Sequence, residues 1–306
     1  TRDWNYYWDQ KHDLDQQGSK NDKSTYFTPI GSMFYTTADN KGQAYIAYFG
    51  GVYNGNAYAI KNIEIHSDTE MTGLFGMTAG AKLENIVMYS DKENTIEITD
   101  KSTKWYSLGG LVGFAAKGTG RSAENATITN CTVSGYKIVD SRSHDGGWGG
   151  ASIGGLAGAS NMDISRCTAV NDIEINLTYN RVSYNNVRIG GLVGNLRGNV
   201  DSVYCGGSIV SNVATANSNK NDTSTTSLWT GGINGGIVMI DFGNLPSLIG
   251  STTAEVTISN SYTFVELPAI EKNQVKCSQS IASIGEMQAY FAPIENPYVI
   301  VKNCYT

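Results

Sequence analysis

Charged side chains are scarce in this chain of 306 residues, of which only 16% are Asp, Glu, Lys or Arg. The formal net charge is -6, whereas binding to a nucleic-acid backbone depends on many Lys and Arg side chains that neutralise phosphates. No apolar run approaches the roughly 20 residues that a membrane-spanning helix requires. We therefore expect neither a nucleic-acid partner nor a membrane span in this stretch.

The residues and motifs of common catalytic and metal sites are also few. The chain has three histidines and five cysteines, and it contains no CxxC pair, no HExxH and no P-loop. The histidines have neither the spacing nor the cysteine neighbours of a zinc site. We expect no metal ion and no cofactor, and we favour a binding function over catalysis.

Glycine, by contrast, is abundant, and much of it belongs to a repeated motif of the form Gly-Gly-Leu-Val-Gly. The motif occupies residues 108–113, 153–158 and 189–194, with looser copies at 72–76 and 230–235. A second motif, Ile-Thr-Asn-Cys-Thr-Val in its fullest copy, has relatives that begin at residues 60, 83, 128, 164, 200, 258 and 301, so the shortest spacing is 23 residues. A unit of about that length suits one coil of three short strands in a parallel β-solenoid. The β-branched, glycine-punctuated segments disfavour a helical solenoid.

Alternation along the predicted strands assigns side chains to the two faces of the coil wall. We place one column inside the coil: Leu74, Leu111, Leu156, Leu192 and Ile233. We place the following column outside: Phe75, Val112, Ala157, Val193 and Asn234. The glycine that comes next allows either a corner with positive φ or a close backbone approach. The Asn of the second motif predicts a left-handed bend with a partial amide ladder, interrupted at Arg166 and Ser202.

Cysteine recurs within the second motif. Cys131, Cys167 and Cys304 share one position, and Cys205 falls two residues further along its copy. We expect buried free thiols that fill the coil, because cysteine is among the most buried residue types. A disulfide between neighbouring coils is the alternative, since strands about 4.8 Å apart lie within the range that a disulfide tolerates.

The first 50 residues do not repeat and contain an aromatic cluster, Trp4, Tyr6, Tyr7 and Trp8. We expect residues 1–50 to form an N-terminal cap over the first coil and residues 51–306 to form the repeats, because a solenoid end must be covered. A sugar-stacking platform is the alternative for the cluster. The polar start and the ending within a repeat are what we expect of part of a longer, multidomain protein without its signal peptide.

Insertions interrupt the coils at one recurring place, between the third strand and the next Gly-Gly-Leu. They span about residues 99–107, 140–152, 178–188 and 211–228. Insertions at equivalent positions stack on one side of a solenoid, so they form our candidate binding face. The richest ones combine aromatic, charged and hydrogen-bonding groups that could hold a sugar or a protein surface. The candidate binding residues are Asp140, Arg142, His144, Asp145, Trp148, Tyr179, Arg181 and Tyr184.

Two other functions stay open at this stage. A polysaccharide lyase or glycoside hydrolase would need acidic and basic side chains that converge in one cleft, and Asp140, Arg142, His144 and Asp145 are the candidates. Glu97 and Glu174 each lie between two apolar residues, and we interpret them as solvated charges on the sheet exterior rather than as a catalytic pair. A pure spacer of a larger surface protein is the third possibility.

Gly-Gly-Leu-Val-Gly followed by Ile-Thr-Asn-Cys-Thr-Val resembles the GLUG-motif repeat of bacterial surface proteins, and residues 27–31 and 52–62 are similar to the segment that precedes those repeats. The resemblance covers roughly residues 27 to 306. It implies an all-β, right-handed parallel β-helix of about seven coils, exported and displayed on a bacterial cell. Similar repeats occur in adhesin-like proteins and beside the catalytic part of IgA-specific metallopeptidases. This chain lacks the HExxH of those peptidases, so the resemblance implies no protease activity and supplies no catalytic residues.

Overall fold

A computed structural model of the protein describes residues 7–16, 26–36, 43–99, 105–119, 121–144, 150–179, 186–215, 226–236, 255–269, 277–285 and 298–306. In these residues the regular structure is almost entirely β-strand, with one short helix, α1 (Arg121–Glu124). None of the described helical structure has the length and apolarity to cross a membrane. The all-β prediction is confirmed.

The strands of the first part of the chain are β1 (Tyr7–Asp9), β2 (Leu14–Asp15), β3 (Ser32–Thr36), β4 (Gln43–Ala47), β5 (Val52–Asn54), β6 (Ala59–Lys61), β7 (Ile65–Ser67), β8 (Met71–Thr72), β9 (Phe75–Ala79), β10 (Lys82–Glu84), β11 (Val87–Tyr89) and β12 (Thr95–Ile98). Those of the middle part are β13 (Trp105–Gly109), β14 (Val112–Ala116), β15 (Thr127–Thr129), β16 (Thr132–Asp140), β17 (Ser143–His144), β18 (Gly150–Gly154), β19 (Ala157–Ser160), β20 (Asp163–Ser165) and β21 (Thr168–Tyr179). The last are β22 (Asn186–Gly190), β23 (Val193–Leu196), β24 (Val200–Asp201), β25 (Tyr204–Gly206), β26 (Ile209–Thr215), β27 (Thr226–Gly231), β28 (Glu255–Ser259), β29 (Tyr262–Thr263), β30 (Cys277–Ala282) and β31 (Tyr298–Lys302).

These strands form four parallel sheets that the chain visits in turn. The first sheet has the order β1-β5-β10-β15-β20-β24-β28-β31, and the second is built around β2-β6-β11-β16-β21-β25-β29. The third sheet has the order β30-β27-β22-β18-β13-β8, and the fourth has β23-β19-β14-β9. We call one passage through the four sheets a rung. Outside this scheme, β3 and β4 form an antiparallel hairpin.

The motif leucines form one buried column, as the sequence predicts. The amide of Leu111 donates to the carbonyl of Leu156 at 2.9 Å, and the amide of Leu156 donates to the carbonyl of Leu192 at 2.9 Å. All three side chains are fully buried in one hydrophobic core. Equivalent residues of successive rungs therefore lie one strand spacing apart.

The neighbouring column does not face outward, and that expectation is wrong. Val112, Ala157 and Val193 are fully buried and belong to the core. The fourth sheet is covered on both faces because its glycines lie against the backbone of the third sheet. A Cβ atom on Gly113 would lie 2.5 Å from the amide nitrogen of Thr72. The glycines are thus needed for close approach rather than for a corner with positive φ.

The left-handed corner is confirmed at the end of six of the eight first-sheet strands, β10, β15, β20, β24, β28 and β31. The φ angles there are 55° at Asn85, 53° at Asn130 and 53° at Arg166, and 56° at Ser202, 49° at Asn260 and 52° at Asn303. The side-chain amide Nδ2 of Asn130 donates to Asn85 Oδ1 at 2.7 Å, and Nδ2 of Asn303 donates to Asn260 Oδ1 at 3.1 Å. The ladder is partial, as predicted, because Arg166 and Ser202 interrupt it.

The sequence analysis treated the copies of the second motif that begin at Ile60 and Leu83 as equivalent, and this is wrong. Leu83 is opposite Tyr53, whereas Ile60 is opposite Met88 in the second sheet. Asn62 has a φ of 56°, so a left-handed bend at a different corner has the same local sequence pattern. The first rung is consequently 30 residues long, from Tyr53 to Leu83, rather than 23.

The described part of the N-terminal region pairs with the first rung. Strand β1 pairs with β5, and β2 pairs with β6, both in parallel. Phe27 packs against the edge of the hydrophobic core. The aromatic residues Trp4 and Tyr6 lie outside the described residues, as does much of the region predicted to form a cap.

Cysteine behaves as an apolar filler at the described positions. Cys131, Cys167 and Cys205 are buried free thiols, and Cys304 is a partly exposed free thiol. The amide of Cys131 lies 3.4 Å from Cys167 Sγ in the next rung. Burial raises the pKa of Cys205. The expectation of free thiols is confirmed for these four residues.

Candidate binding site

The four predicted insertions leave the second sheet and enter the third at stacked positions. Before the gap, Tyr179 is opposite Thr215, and after it, Gly150 is opposite Asn186. The bases of the insertions therefore lie on one corner of the stack, which we call the insertion corner. Their central residues lie outside the described ranges and are 100–104, 145–149, 180–185 and 216–225.

Asp140 and Arg142 form an ion pair inside the corner. Arg142 Nε donates to Asp140 Oδ1 at 2.7 Å, and Arg142 Nη2 donates to Asp140 Oδ2 at 2.9 Å. The two residues are only 0% and 5% exposed. This fork-to-fork geometry is the strong form of a charge-assisted hydrogen bond. We expected these side chains in an exposed loop; instead they hold the end of β16 to the chain that follows.

A tyrosine covers the ion pair. The guanidinium of Arg142 lies 4.2 Å from the ring centre of Tyr106, in a cation-π contact. Burial, followed by the nearby charge of Asp140, raises the pKa of Tyr106 well above its ordinary value. Burial alone would lower the pKa of Arg142, but the hydrogen bonds and charge interactions with Asp140 and Tyr106 together outweigh it, and the pKa is raised. The cluster is therefore a fixed pair of charges that gives the insertion corner a rigid base.

The other candidate residues are placed only in part. Tyr179 is the buried last residue of β21, and the backbone of His144 pairs with it through β17. The side chain of His144 lies outside the described structure. Asp145, Trp148, Arg181 and Tyr184 also lie outside the described residues. The role of the eight residues in binding stays a prediction.

A second buried cation lies in the third sheet. Arg188 on β22 is 5% exposed, and its guanidinium lies 4.8 Å from the ring centre of Trp229 on the next strand, β27. Burial lowers the pKa of Arg188 to about 10. Sequence reasoning expected this arginine at the end of an insertion, whereas it points onto a covered sheet face.

His66 is a titratable group that contacts two carboxylates. It lies in β7, and its Nε2 and Nδ1 atoms are 2.9 Å from Glu64 Oε1 and 3.0 Å from Glu97 Oε2. The ring of Tyr26 stacks on it at 4.1 Å. Hydrogen bonds first to Glu64 and then to Glu97 raise the pKa of His66 to about 9.

A sequence signal for this cluster exists. Glu64 and His66 are two residues apart, so a strand places them on the same face. Glu97 is indeed directed outward, as predicted, and is opposite His66 in the next rung. Glu174 is also directed outward, and it pairs with Lys137. Both carboxylates therefore belong to separate surface ion pairs.

Comparison with known proteins identifies one family match. Residues 106–139 match the model of the GLUG motif, which confirms the resemblance noted in the sequence. The matched segment begins in β13 and ends in β16, so it spans strands of all four sheets and amounts to one rung.

One solved structure is similar over most of the chain. It is a crystal structure of a candidate immunoglobulin A1 protease from Bacteroides ovatus, with 14% identity and a TM-score of 0.37, covering 92% of this chain and 77% of that one. No curated protein matches this chain.

Proposed function

We propose that this chain is a non-catalytic interaction module of an extracellular, cell-surface protein of a bacterium. In this proposal residues 1–50 cap a right-handed parallel β-helix of about seven coils that occupies residues 51–306. The module acts as an adhesin and binds a glycan or a host or matrix protein through the insertion corner. The GLUG motif at residues 106–139 supports the placement at the cell surface.

The stacking of the four insertions on one corner is the observation that carries this proposal. Strands β17, β21 and β26 end side by side in the second sheet, and β13, β18 and β22 begin side by side in the third, where β27 begins one residue earlier. Irregular segments on a rigid scaffold are the usual place of binding residues. The rungs below them are in register, so consecutive insertions are close enough to contact one extended ligand.

Catalysis receives less support from the same corner. An acid-base mechanism needs a carboxyl group that can exchange a proton with a substrate. Asp140 instead accepts hydrogen bonds from Arg142 through both oxygens and is fully buried. The polysaccharide lyase or glycoside hydrolase considered above therefore loses one of its four candidate groups.

Binding assays on insertion variants test the proposal. We expect the wild-type chain to bind members of a glycan array or immobilised matrix proteins, and we expect Trp148→Ala, Arg181→Ala and Tyr184→Ala to weaken that binding by about tenfold, or about 1.4 kcal/mol. Tyr58→Thr, an exposed tyrosine in the first rung, is the matched control. Unchanged binding by all three insertion variants would contradict a role for the corner. A chain that binds nothing in either assay would act as the spacer.

A further inference from the structure

Four aromatic side chains form a row on the outer face of the second sheet. Tyr204, Tyr262 and Tyr305 are opposite one another in three successive rungs. Phe264 follows Tyr262 two residues later, so it shares the same sheet face. Ring centres are 4.9 Å apart for Tyr204 and Tyr262, and 6.2 Å apart for Tyr262 and Phe264. We call these four residues the aromatic row.

The row is open to solvent. Tyr262, Phe264 and Tyr305 are 44%, 65% and 70% exposed. The ring of Tyr204 lies over Gly206, where a Cβ atom would come within 3.2 Å of the Tyr204 hydroxyl. Single exposed apolar residues are common on protein surfaces and need no explanation. A contiguous group of exposed aromatic rings is instead a mark of an interaction site.

The fold itself does not require aromatic rings at these positions. The same column holds Thr132 and Thr168 in the two preceding rungs, directly in register with Tyr204. The column of Phe264 holds Ser134 and Val170. Small side chains thus serve equally well on this face of the sheet. Tyr89 occupies the Phe264 column in an earlier rung, but three rungs with small side chains at this position separate it from the row.

The chemistry beside the row is polar, and it includes two carboxylates, Asp201 and the exposed Glu266, which would repel an acidic ligand. Asn260 and Asn303 precede Tyr262 and Tyr305 by two residues, and their exposed side-chain amides are hydrogen-bonded to each other at 3.1 Å. Asn260 also donates to Asp201 Oδ1 at 2.7 Å, so that carboxylate is already engaged. In the last two rungs of the row a ligand would therefore meet a ring face and, next to it, an amide with remaining hydrogen-bonding capacity.

The size of the row limits what can cover it. A fully buried aromatic side chain contributes about 150–250 Å², so four partly exposed rings present at most a few hundred Å². A stable protein interface buries about 800 Å² on each partner. The row is too small to hold a second copy of the chain by itself, whereas it matches one or two sugar rings, which have an apolar C–H face and a hydroxyl edge.

We propose that the aromatic row binds a neutral, extended polysaccharide that runs along the stack, with pyranose faces on the rings and hydroxyl groups on the Asn260–Asn303 amides. The proposal rests on the binding function proposed above and names its ligand class, but it places the contact on the second sheet rather than at the insertion corner.

Affinity electrophoresis in native gels tests this site. The wild-type chain is run through gels that contain hydroxyethyl cellulose, xylan or galactomannan, and through gels with the acidic polymers polygalacturonate or heparin. We expect at least one neutral polymer to retard the wild-type chain. We expect the double variant Tyr262→Thr with Phe264→Ser to raise the dissociation constant by about tenfold, because the aromatic stacking is lost.

The variants are matched to the fold. Threonine and serine already occupy the columns of Tyr262 and Phe264 in earlier rungs. The wild type and the double variant should therefore melt at the same temperature in circular dichroism, as expected of exposed substitutions. Tyr58→Thr removes an exposed tyrosine outside the row and should be retarded like the wild type. Sedimentation velocity of the wild type and the double variant measures self-association.

Four outcomes would overturn the inference. They are an absence of retardation by all three neutral polymers, retardation by the acidic polymers alone, equal retardation of the wild type and the double variant, and self-association that the double variant abolishes. The insertion variant Arg181→Ala separates the two proposals. If it loses binding while the double variant keeps it, the insertion corner is correct and the aromatic row is wrong; the reverse result selects the row.

Discussion

Asn130 and Arg166 occupy the same corner in successive rungs, and both have a φ of 53°. In the left-handed region the Cβ atom of any L-residue lies close to the following carbonyl oxygen. Asparagine tolerates this conformation because its short polar side chain can form local hydrogen bonds. Recurrence of Asn at one motif position was sufficient to predict this corner from sequence. Arg166 and Ser202 adopt the same backbone conformation without an Asn side chain because the register of the adjoining strands fixes it.

Replacing Arg166 with Asn should stabilise the protein. The substitution relieves backbone strain and extends the amide ladder from Asn130, and we expect a gain of about 1 kcal/mol in the free energy of unfolding. Denaturant titration followed by circular dichroism measures it. Arg166→Lys keeps the strain and is the control. Equal stability of the Asn and Lys variants would show that this corner is unstrained.

The pKa of His66 gives a prediction with a defined sign. Folding raises it from 6.5 to about 9, so the protonated ring stabilises the folded state. This contribution is complete below pH 6.5 and disappears as the pH rises through 9. With solvent screening of this partly exposed group, we expect about 1–2 kcal/mol.

Urea titrations at pH 6 and pH 9.5 measure that loss. The wild-type protein should lose more stability between the two values than His66→Gln, whose amide does not titrate. The carboxylates that face His66 are Glu64 and Glu97. A parallel pH dependence in the two proteins would contradict the ion-paired geometry at β7.

The binding residues show where sequence reasoning stops at this scale. Composition correctly drew attention to Asp140 and Arg142, but residue type could not reveal that they would pair with each other and become buried. That outcome depends on Tyr106 from the preceding rung, which covers the guanidinium. The pairing of Glu97 with His66 likewise joins neighbouring rungs, and linear spacing does not encode it.

At the scale of elements, the glycines of the Gly-Gly-Leu-Val-Gly motif determine how closely the third and fourth sheets approach. A Cβ atom on Gly158 would lie 2.5 Å from the amide nitrogen of Leu108 and 2.7 Å from Ser107 Oγ. Backbone atoms cannot move away as the end of a flexible side chain can. The motif is therefore a packing requirement between two sheets, and this explains its repetition without reference to a ligand.

Gly158→Ala should destabilise the protein by several kcal/mol. The added Cβ atom would overpack the contact between β19 and β13, and one of these strands would have to shift. Gly206→Ala is the matched control, since its Cβ atom would meet side-chain atoms rather than backbone, namely the Tyr204 hydroxyl at 3.2 Å and Val170 Cγ2 at 3.6 Å. Thermal melts of the two variants measure the difference. Similar melting temperatures would mean that the two sheets are less closely packed than described.

The elements also explain the two errors in the sequence interpretation. Strict alternation placed Val112 outside because it assumed one buried face per sheet, and the close contact between the third and fourth sheets covers both. The pattern around Ile60 was assigned to the wrong corner because Asn62 and Asn85 both adopt positive φ. A local pattern identifies a bend, but only strand pairing shows which bend it is.

At the scale of the whole molecule, the rungs share one continuous core that no single rung can form alone. Leu156→Asp would bury an unpaired charge in the centre of that core, at a cost of several kcal/mol. We expect loss of the cooperative thermal transition in circular dichroism. Leu156→Met, which nearly conserves volume, should cost less than about 1.5 kcal/mol. An aspartate variant that melts like the methionine variant would place this column outside the core.

The stacking of like residues on like is the central claim, and nuclear Overhauser contacts between methyl groups test it without mutation. In a protein with labelled leucine methyl groups, we expect contacts between Leu111 and Leu156 and between Leu156 and Leu192, whose strands are about 4.8 Å apart. We expect a much weaker contact, or none, between Leu111 and Leu192, which are two strand spacings of about 10 Å apart. Absence of both nearest-neighbour contacts would contradict the stacked rungs.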